Sequence, residues 1–245
     1  MKRTERHHLK ENELQTFARE AREQLEARKR ETTMVVAAVL IVGIAVGGYF
    51  VWRDRVETKA HALLAEALVV QGARIGTPAA PGTAGAGGLS YLTERERAQA
   101  ALTKFKAAAD GYPSSDAGIY ARYQLAGTYM ELGQPGSAAA EYQRVIDRGG
   151  DRIYGQMARL GLAEARAIEG KYDEAINGFK ELAQRKDGPL PVDGILMQLG
   201  RTYLEAGKRS DAQQTFNRLV EEYPESPFTG DARKEIETLK KSPTT

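Results

Sequence analysis

The sequence predicts an all-α protein, a single N-terminal transmembrane helix followed by an α-solenoid with a terminal capping helix. A small-then-aromatic signature returns every 37 residues in the second half of the chain, a glycine breaks each period at the same place, and one stretch of 19 residues near the start carries no charge. Ala101, Ala138, Ala175 and Ala212 keep the 37-residue step, as do Phe105, Tyr142, Phe179 and Phe216. A small residue with an aromatic four positions later lies on one helix face. Upstream come Leu125, Leu162 and Leu199, then Gly133, Gly170 and Gly207, in the same step. Each unit therefore reads helix, glycine break, helix. Such a unit cannot bury its apolar face alone, so neighbours must stack, and the stack presents a long concave surface.

The uncharged stretch runs from Met34 to Trp52. As a helix at about 1.5 Å per residue it reaches roughly 28 Å, close to a hydrocarbon core of about 30 Å. A cleavable signal peptide is disfavoured, because 33 residues precede the run and bulky Tyr49, Phe50, Val51 and Trp52 stand where small residues would be needed. Within 20 residues on the N-terminal side lie Arg19, Arg22, Arg28, Lys29 and Arg30, against Arg53, Arg55 and Lys59 on the other. That bias places the N-terminus in the cytoplasm and the repeats outside it, with Tyr49 and Trp52 at the outer interface. Inside the segment Gly43 and Gly47 form a small-xxx-small pair, a candidate contact for a partner helix, although glycine is common in membrane helices generally.

Residues 1–33 form a charged arm with nine Lys or Arg and seven Glu interleaved, a balance unlike that of a nucleic-acid tail. Leu14, Phe17, Ala21 and Leu25 draw a narrow apolar stripe that suits a partner or the membrane surface, or marks only a marginal solvated helix. His7 and His8 are adjacent, so their side chains diverge on a helix. After the anchor at 34–52, residues 53–72 read as a juxtamembrane helix, clearest from Thr58 to Val70. Residues 73–90 fall in a Gly/Ala/Pro insertion expected to be a flexible loop. The juxtamembrane helix is either the displaced first half of the first repeat or a plain spacer. The array itself is 91–241, with a helix at about Thr93 to Asp110 opening it, a terminal helix from Phe228 to about Lys240, and a tail at 242–245.

No cysteine is present, which excludes disulfides, thiol nucleophiles, zinc thiolate sites and lipidation of a cysteine. Neither G-x-x-x-x-G-K-[ST] nor H-E-x-x-H occurs, and Gly85-Ala86-Gly87-Gly88 completes no dinucleotide fingerprint. With the assigned topology, His61 is the single histidine on the repeat side, and the carboxylates are spread among Lys and Arg. The expectation is a protein that is not an enzyme and takes no cofactor or metal.

The order Leu199, Gly200, Tyr203, Gly207, Ala212, Phe216, Leu219 and Pro224 resembles the tetratricopeptide repeat. Leu125, Ala126, Tyr129, Gly133, Ala138 and Tyr142 repeat it, and Arg166 departs from it where a tyrosine stands elsewhere. The usual period of that family is about 34, so the turns between units, such as Tyr112-Pro113-Ser114-Ser115 and Tyr223-Pro224-Glu225-Ser226-Pro227, are expected to hold the extra residues. Ser226 before Pro227 reads as an N-cap. The resemblance implies a concave binding face on the first helix of each unit. Carried over, its positions are Tyr120, Tyr123, Gly127 and Met130, then Met157, Leu160, Glu164 and Ala167, then Gly194, Met197, Arg201 and Leu204. Methionine and tyrosine suit extended or unfolded polypeptide, while Glu164 and Arg201 add polar points. The alternative is that several of these side chains pack between helices.

A charged cytoplasmic arm, one anchor and a cysteine-free tetratricopeptide array resemble the YfgM family of bacterial inner-membrane proteins. That resemblance implies an ancillary subunit of the Sec translocon, working beside a membrane-anchored chaperone of the peptidyl-prolyl isomerase type in handling exported proteins. The Tyr-Pro-Glu-Ser-Pro turn is also similar to turns in the Tol-Pal-associated coordinator and the barrel-assembly lipoprotein. A scaffold subunit of an envelope complex for division, secretion or outer-membrane assembly is the alternative.

Overall fold

The computed structural model describes residues 29–76, 88–185 and 188–241. Among these the chain forms nine helices and one pair of two-residue strands. The order is α1 (Lys29–Gln71), β1 (Arg74–Ile75), β2 (Ser90–Tyr91), α2 (Glu94–Gly111), α3 (Asp116–Glu131), α4 (Pro135–Gly149), α5 (Ile153–Ile168), α6 (Tyr172–Gln184), α7 (Val192–Glu205), α8 (Arg209–Glu222) and α9 (Thr229–Lys241). The apolar stripe at Leu14, Phe17, Ala21 and Leu25, His7 and His8, most of the Gly/Pro insertion and the tail lie outside the described residues.

Two compact units divide at Arg55. In the first, Met34 to Trp52 is helical, and its large apolar side chains are about half to three-quarters exposed. A β-carbon added at Gly43 or Gly47 would meet nothing within 4 Å. The helix is long and apolar enough to cross a membrane, with a mean hydropathy of 2.5 over its most apolar window.

The second unit, Val56–Thr245, is the helical array. Within each helix pair the first helix ends at a glycine. Gly133, Gly170 and Gly207 have φ of 71°, 76° and 73°, a left-handed conformation that a β-carbon disfavours. At each, the glycine N–H and the next N–H reach back to close the preceding helix, as in Gly133 N to Met130 O at 3.0 Å and Gln134 N to Tyr129 O at 2.9 Å. This is the Schellman arrangement, and Lys171 to Arg166 and Lys208 to Tyr203 repeat it at 2.9 and 2.8 Å. Two helices, α2 and α3, are capped from side chains instead. Thr93 Oγ1 accepts from Glu96 N at 3.1 Å, and Ser115 Oγ accepts from Gly118 N at 2.9 Å.

The periodic residues are the core. Phe105, Phe179 and Phe216 are no more than 1% exposed, Tyr142 is 5% exposed, and Ala101, Ala138, Ala175 and Ala212 are buried beside them. Small residues receive the rings. An added β-carbon at Gly200 would lie 2.3 Å from Phe216 Cε1, and one at Gly161 would lie 2.4 Å from Tyr142 Cζ. Ala60, Leu64, Ala67 and Val70 of α1 share an apolar cluster with Phe105 of α2 and Leu125 of α3. Polar ties reinforce it, with Ala117 N donating to Glu57 Oε1 at 3.0 Å and Lys104 Nζ to Glu66 Oε2 at 3.0 Å.

Arg122 brackets three helices. It donates through Nη1 to Glu141 Oε2 at 2.7 Å and through Nη2 to Ala109 O and Asp110 Oδ1, both at 2.8 Å. The middle unit's Arg166, which replaces a tyrosine, pairs with Glu169 at 2.9 Å and Glu174 at 3.1 Å and so ties α5 to α6.

Three details differ from the expectations raised by the sequence. Only Gly150, Asp151 and Arg152 separate α4 from α5, so part of the longer period there extends the helices rather than the turn. Ser226 is not the N-cap of α9, which starts at Thr229; its hydroxyl donates to Asp193 Oδ2 at 2.6 Å and accepts from Phe228 N at 3.2 Å, forming a turn one step earlier. β1 and β2 pair in parallel, Arg74 with Ser90 and Ile75 with Tyr91, and join the two ends of the insertion.

Gly200→Ala is expected to destabilise the array by about 2 kcal/mol, as overpacking of a filled core does. Gly230→Ala, where a β-carbon meets nothing within 4 Å, is the control and should leave stability unchanged or raised. Thermal unfolding followed by circular dichroism compares them, and equal midpoints would contradict the close ring contact. Arg122→Ala should cost about 2 kcal/mol by removing the charged hydrogen bonds to Glu141 and Asp110 and leaving Glu141 with Arg144 alone, whereas Arg122→Met with Glu141→Leu should recover most of that loss. Denaturant melts of the single and double variants measure both.

Candidate functional site

First helices α3, α5 and α7 adjoin one another across unit boundaries, whereas second helices pack on the first helices of their own and the following unit rather than on one another. That asymmetry puts the first helices on the inside of the curve. Along them Tyr120, Tyr123 and Met130 on α3, Met157, Leu160 and Glu164 on α5, and Leu204 on α7 are half-buried, and Arg201 is exposed. Met197 departs from the expectation of an open groove position, being 1% exposed. After α8, α9 packs chiefly on α8 and shares the apolar cluster of α7. Met197 belongs to the apolar cluster that Ala232 and Ile236 of α9 complete, and Phe228 lies 3.5 Å from where Gly194 would carry a β-carbon. Several of the half-buried side chains also touch cores, Met130 and Tyr123 on one cluster and Leu160 and Leu204 on another. Met157 belongs to none of the three clusters.

The tyrosines form a connected row. Tyr120 and Tyr154 have ring centroids 4.9 Å apart, Tyr154 and Tyr123 6.4 Å, and Tyr123 and Tyr142 5.8 Å. The row therefore runs from α3 onto α5, back to α3 and on to α4. Tyr142 lies against Gly161, and its hydroxyl is 3.9 Å from the β-carbon that Gly127 lacks. Sequence reasoning missed Tyr154 as a surface residue of this face and treated Tyr142 only as core. A signal for Tyr154 was present, since it stands three residues before Met157 and so one turn back along the same helix face.

Glu164 sits beside this row. Burial raises its carboxyl above the ordinary carboxylate range, and no hydrogen bond or ion pair from a described residue offsets that. Its charge in turn helps to push the Tyr123 and Tyr142 phenols upward, behind the larger effect of their own burial. The basic residues nearest in sequence on α5 are engaged elsewhere: Arg159 Nη1 donates to Gly150 O at 2.8 Å, and Arg166 holds Glu169. Chemically the face offers aromatic area, one flexible thioether and one unpaired anion. Among the described residues no group of three or more His, Asp or Glu side chains is arranged to hold a metal ion.

Because the carboxyl titrates higher in the folded chain than in the unfolded one, it destabilises the array fully above its raised value. That penalty fades as pH falls through it toward the ordinary carboxylate range. Glu164→Gln should therefore raise the unfolding midpoint at pH 7 by about 2 °C, with the gain shrinking on acidification. An unchanged or lowered midpoint at pH 7 would show that the carboxylate is compensated.

The solved structure of kinesin light chain TPR-like repeats from Podospora anserina is similar, at 14% identity and a TM-score of 0.57, covering 76% of this chain and 86% of that one. The Pseudomonas aeruginosa protein PilF aligns at 17% identity and a TM-score of 0.52, covering 76% of this chain and 68% of that one. At these identities the likeness concerns the fold alone. No curated protein matches the sequence. The sequence profile of the tetratricopeptide repeat-like domain matches residues 29–229, from the apolar helix through the last helix pair. The chain is thus a member of the tetratricopeptide repeat-like domain family.

Proposed function

We propose that this protein is a membrane-anchored interaction module that holds extended or partly folded polypeptides on the outer side of the bacterial inner membrane, ancillary to the Sec translocon. The observation that carries the binding reading is the row of half-open tyrosines with Met157 on the inner helices of a repeat array. Aromatic and thioether side chains gain contact area without demanding one partner geometry, which suits clients of varied sequence. Tetratricopeptide arrays serve as protein-interaction scaffolds, and that agrees with a face that offers contact area rather than a catalytic cluster.

The anchoring half of the proposal draws on the 19 uncharged residues from Met34 to Trp52 and on the excess of Lys and Arg before them. Gly43 and Gly47 are the proposed contact for a neighbouring membrane helix, since their bare surface lets a second backbone approach closely. The translocon and a membrane-anchored chaperone of the isomerase type are the proposed neighbours, following the resemblance to the YfgM family.

Photo-crosslinking in living cells from a probe at Tyr123 tests the proposal. Translocon or chaperone subunits together with many exported proteins are the expected products. One stoichiometric folded envelope partner would favour a scaffold instead, and exclusively cytoplasmic products would overturn the topology. In the same membranes, Gly43→Leu with Gly47→Leu should weaken recovery of membrane-embedded partners. Undiminished recovery would remove the helix contact.

A further inference from the structure

We propose that the inner face of α5 selects extended polypeptides that carry a lysine or arginine, with the cationic head paired to the Glu164 carboxylate and the stem laid along the Tyr123 and Tyr154 rings. This deepens the binding reading above and rests on it.

Two observations converge. Glu164 is half-buried, and no described cation pairs with it: Arg159 and Arg166 on its own helix are held by Gly150 and Glu169, and Arg201, at the equivalent position one unit on, makes no ion pair with it. A carboxylate withdrawn from water without a partner is unfavourable, and a ligand cation relieves that deficit of charge. Tyr123 and Tyr142, near enough to feel its charge, belong to a continuous row of rings with Tyr154 and Tyr120, neighbouring centroids lying 4.9 to 6.4 Å apart. Tyrosine faces attract an ammonium or guanidinium through the ring quadrupole and accept the methylene stem of a long basic side chain. An anion among aromatic rings thus complements a basic side chain in both charge and shape, and repels an acidic one. The surface is specific to one unit, because the equivalent positions of the flanking units hold Gly127 and Arg201. Other contacts along the array remain indifferent to sequence, so the basic residue sets register in a chain that is otherwise held by area.

The full-length protein in nanodiscs and a fluorescein-labelled decapeptide of Ser, Thr and Leu with one central lysine provide the test, compared by anisotropy with the same peptide carrying norleucine there. The lysine peptide should bind about tenfold more tightly, the effect of one charge-assisted contact with cation–π support. Glu164→Gln should abolish the difference between the two peptides, and Tyr154→Leu should reduce it, with circular dichroism confirming that both variants fold. Equal binding of the two peptides by the unmodified protein, or a preference that survives Glu164→Gln, overturns the basic subsite. The broader groove reading stands in that case if Tyr123→Asp still weakens both peptides. No binding of either peptide overturns both readings. A change in the sedimentation of the unliganded protein on Glu164→Gln would assign the site to a second copy of the chain and overturn the peptide assignment.

Discussion

One contact repeated along the array underlies the rest of the architecture: an aromatic ring from a second helix seated on a small residue of a first helix. Phe216 against Gly200 and Tyr142 against Gly161 leave no room for a β-carbon. The first contact closes a unit on itself, since Gly200 and Phe216 belong to α7 and α8. The second joins α4 to α5 and so closes one unit on the next. Helix pairs held this way have little freedom to slide, because moving either helix by one residue sets the ring on a larger side chain. The curvature follows from the same contacts, and with it the placement of the tyrosine row on the inside.

Stability in such a stack is close to a sum over units and the interfaces between them. The described interfaces are not equivalent. Between α2, α3 and α4 the apolar contact is supplemented by Arg122, whose buried guanidinium donates to Glu141, Asp110 and a backbone carbonyl. Between α3, α4 and α5 the packing is aromatic, and Glu164 withdraws charge from water without compensation. The middle of the array therefore combines the most adaptable surface with an unmet electrostatic demand, an arrangement that makes sense where a ligand supplies what the fold leaves out.

The period of 37 residues made the array legible, because each column answers one physical need, with glycine for a left-handed turn, alanine for close approach and an aromatic for filling. Helix limits also followed from local chemistry, and α2 begins within a residue of the expected place because Thr93 caps it. What depends on distant contacts was not legible. Met197 has the same local sequence character as the open positions Tyr123 and Leu160, and only the apolar cluster that α9 shares with α7 buries it. Two-residue strands carry no periodic signal, so the pairing of Arg74 and Ile75 with Ser90 and Tyr91 could not be read from pattern. The tyrosine row was half visible, since Tyr120 and Tyr123 stood at expected positions but Tyr154 joins them only when α5 is laid beside α3.

That small parallel bridge has a consequence for how the chain tolerates change. Arg74 N to Leu89 O at 3.2 Å and Gly76 N to Tyr91 O at 2.8 Å fix the entry and exit of the insertion next to each other. The bridge itself thus holds the chain on either side of the excursion at a fixed spacing. Closing a loop grows more costly only with the logarithm of its length, by about 0.6 kcal/mol for each doubling. By that measure a longer excursion between the bridged ends costs the closure little, and the bridge, rather than the length it spans, sets where the chain re-enters the helices.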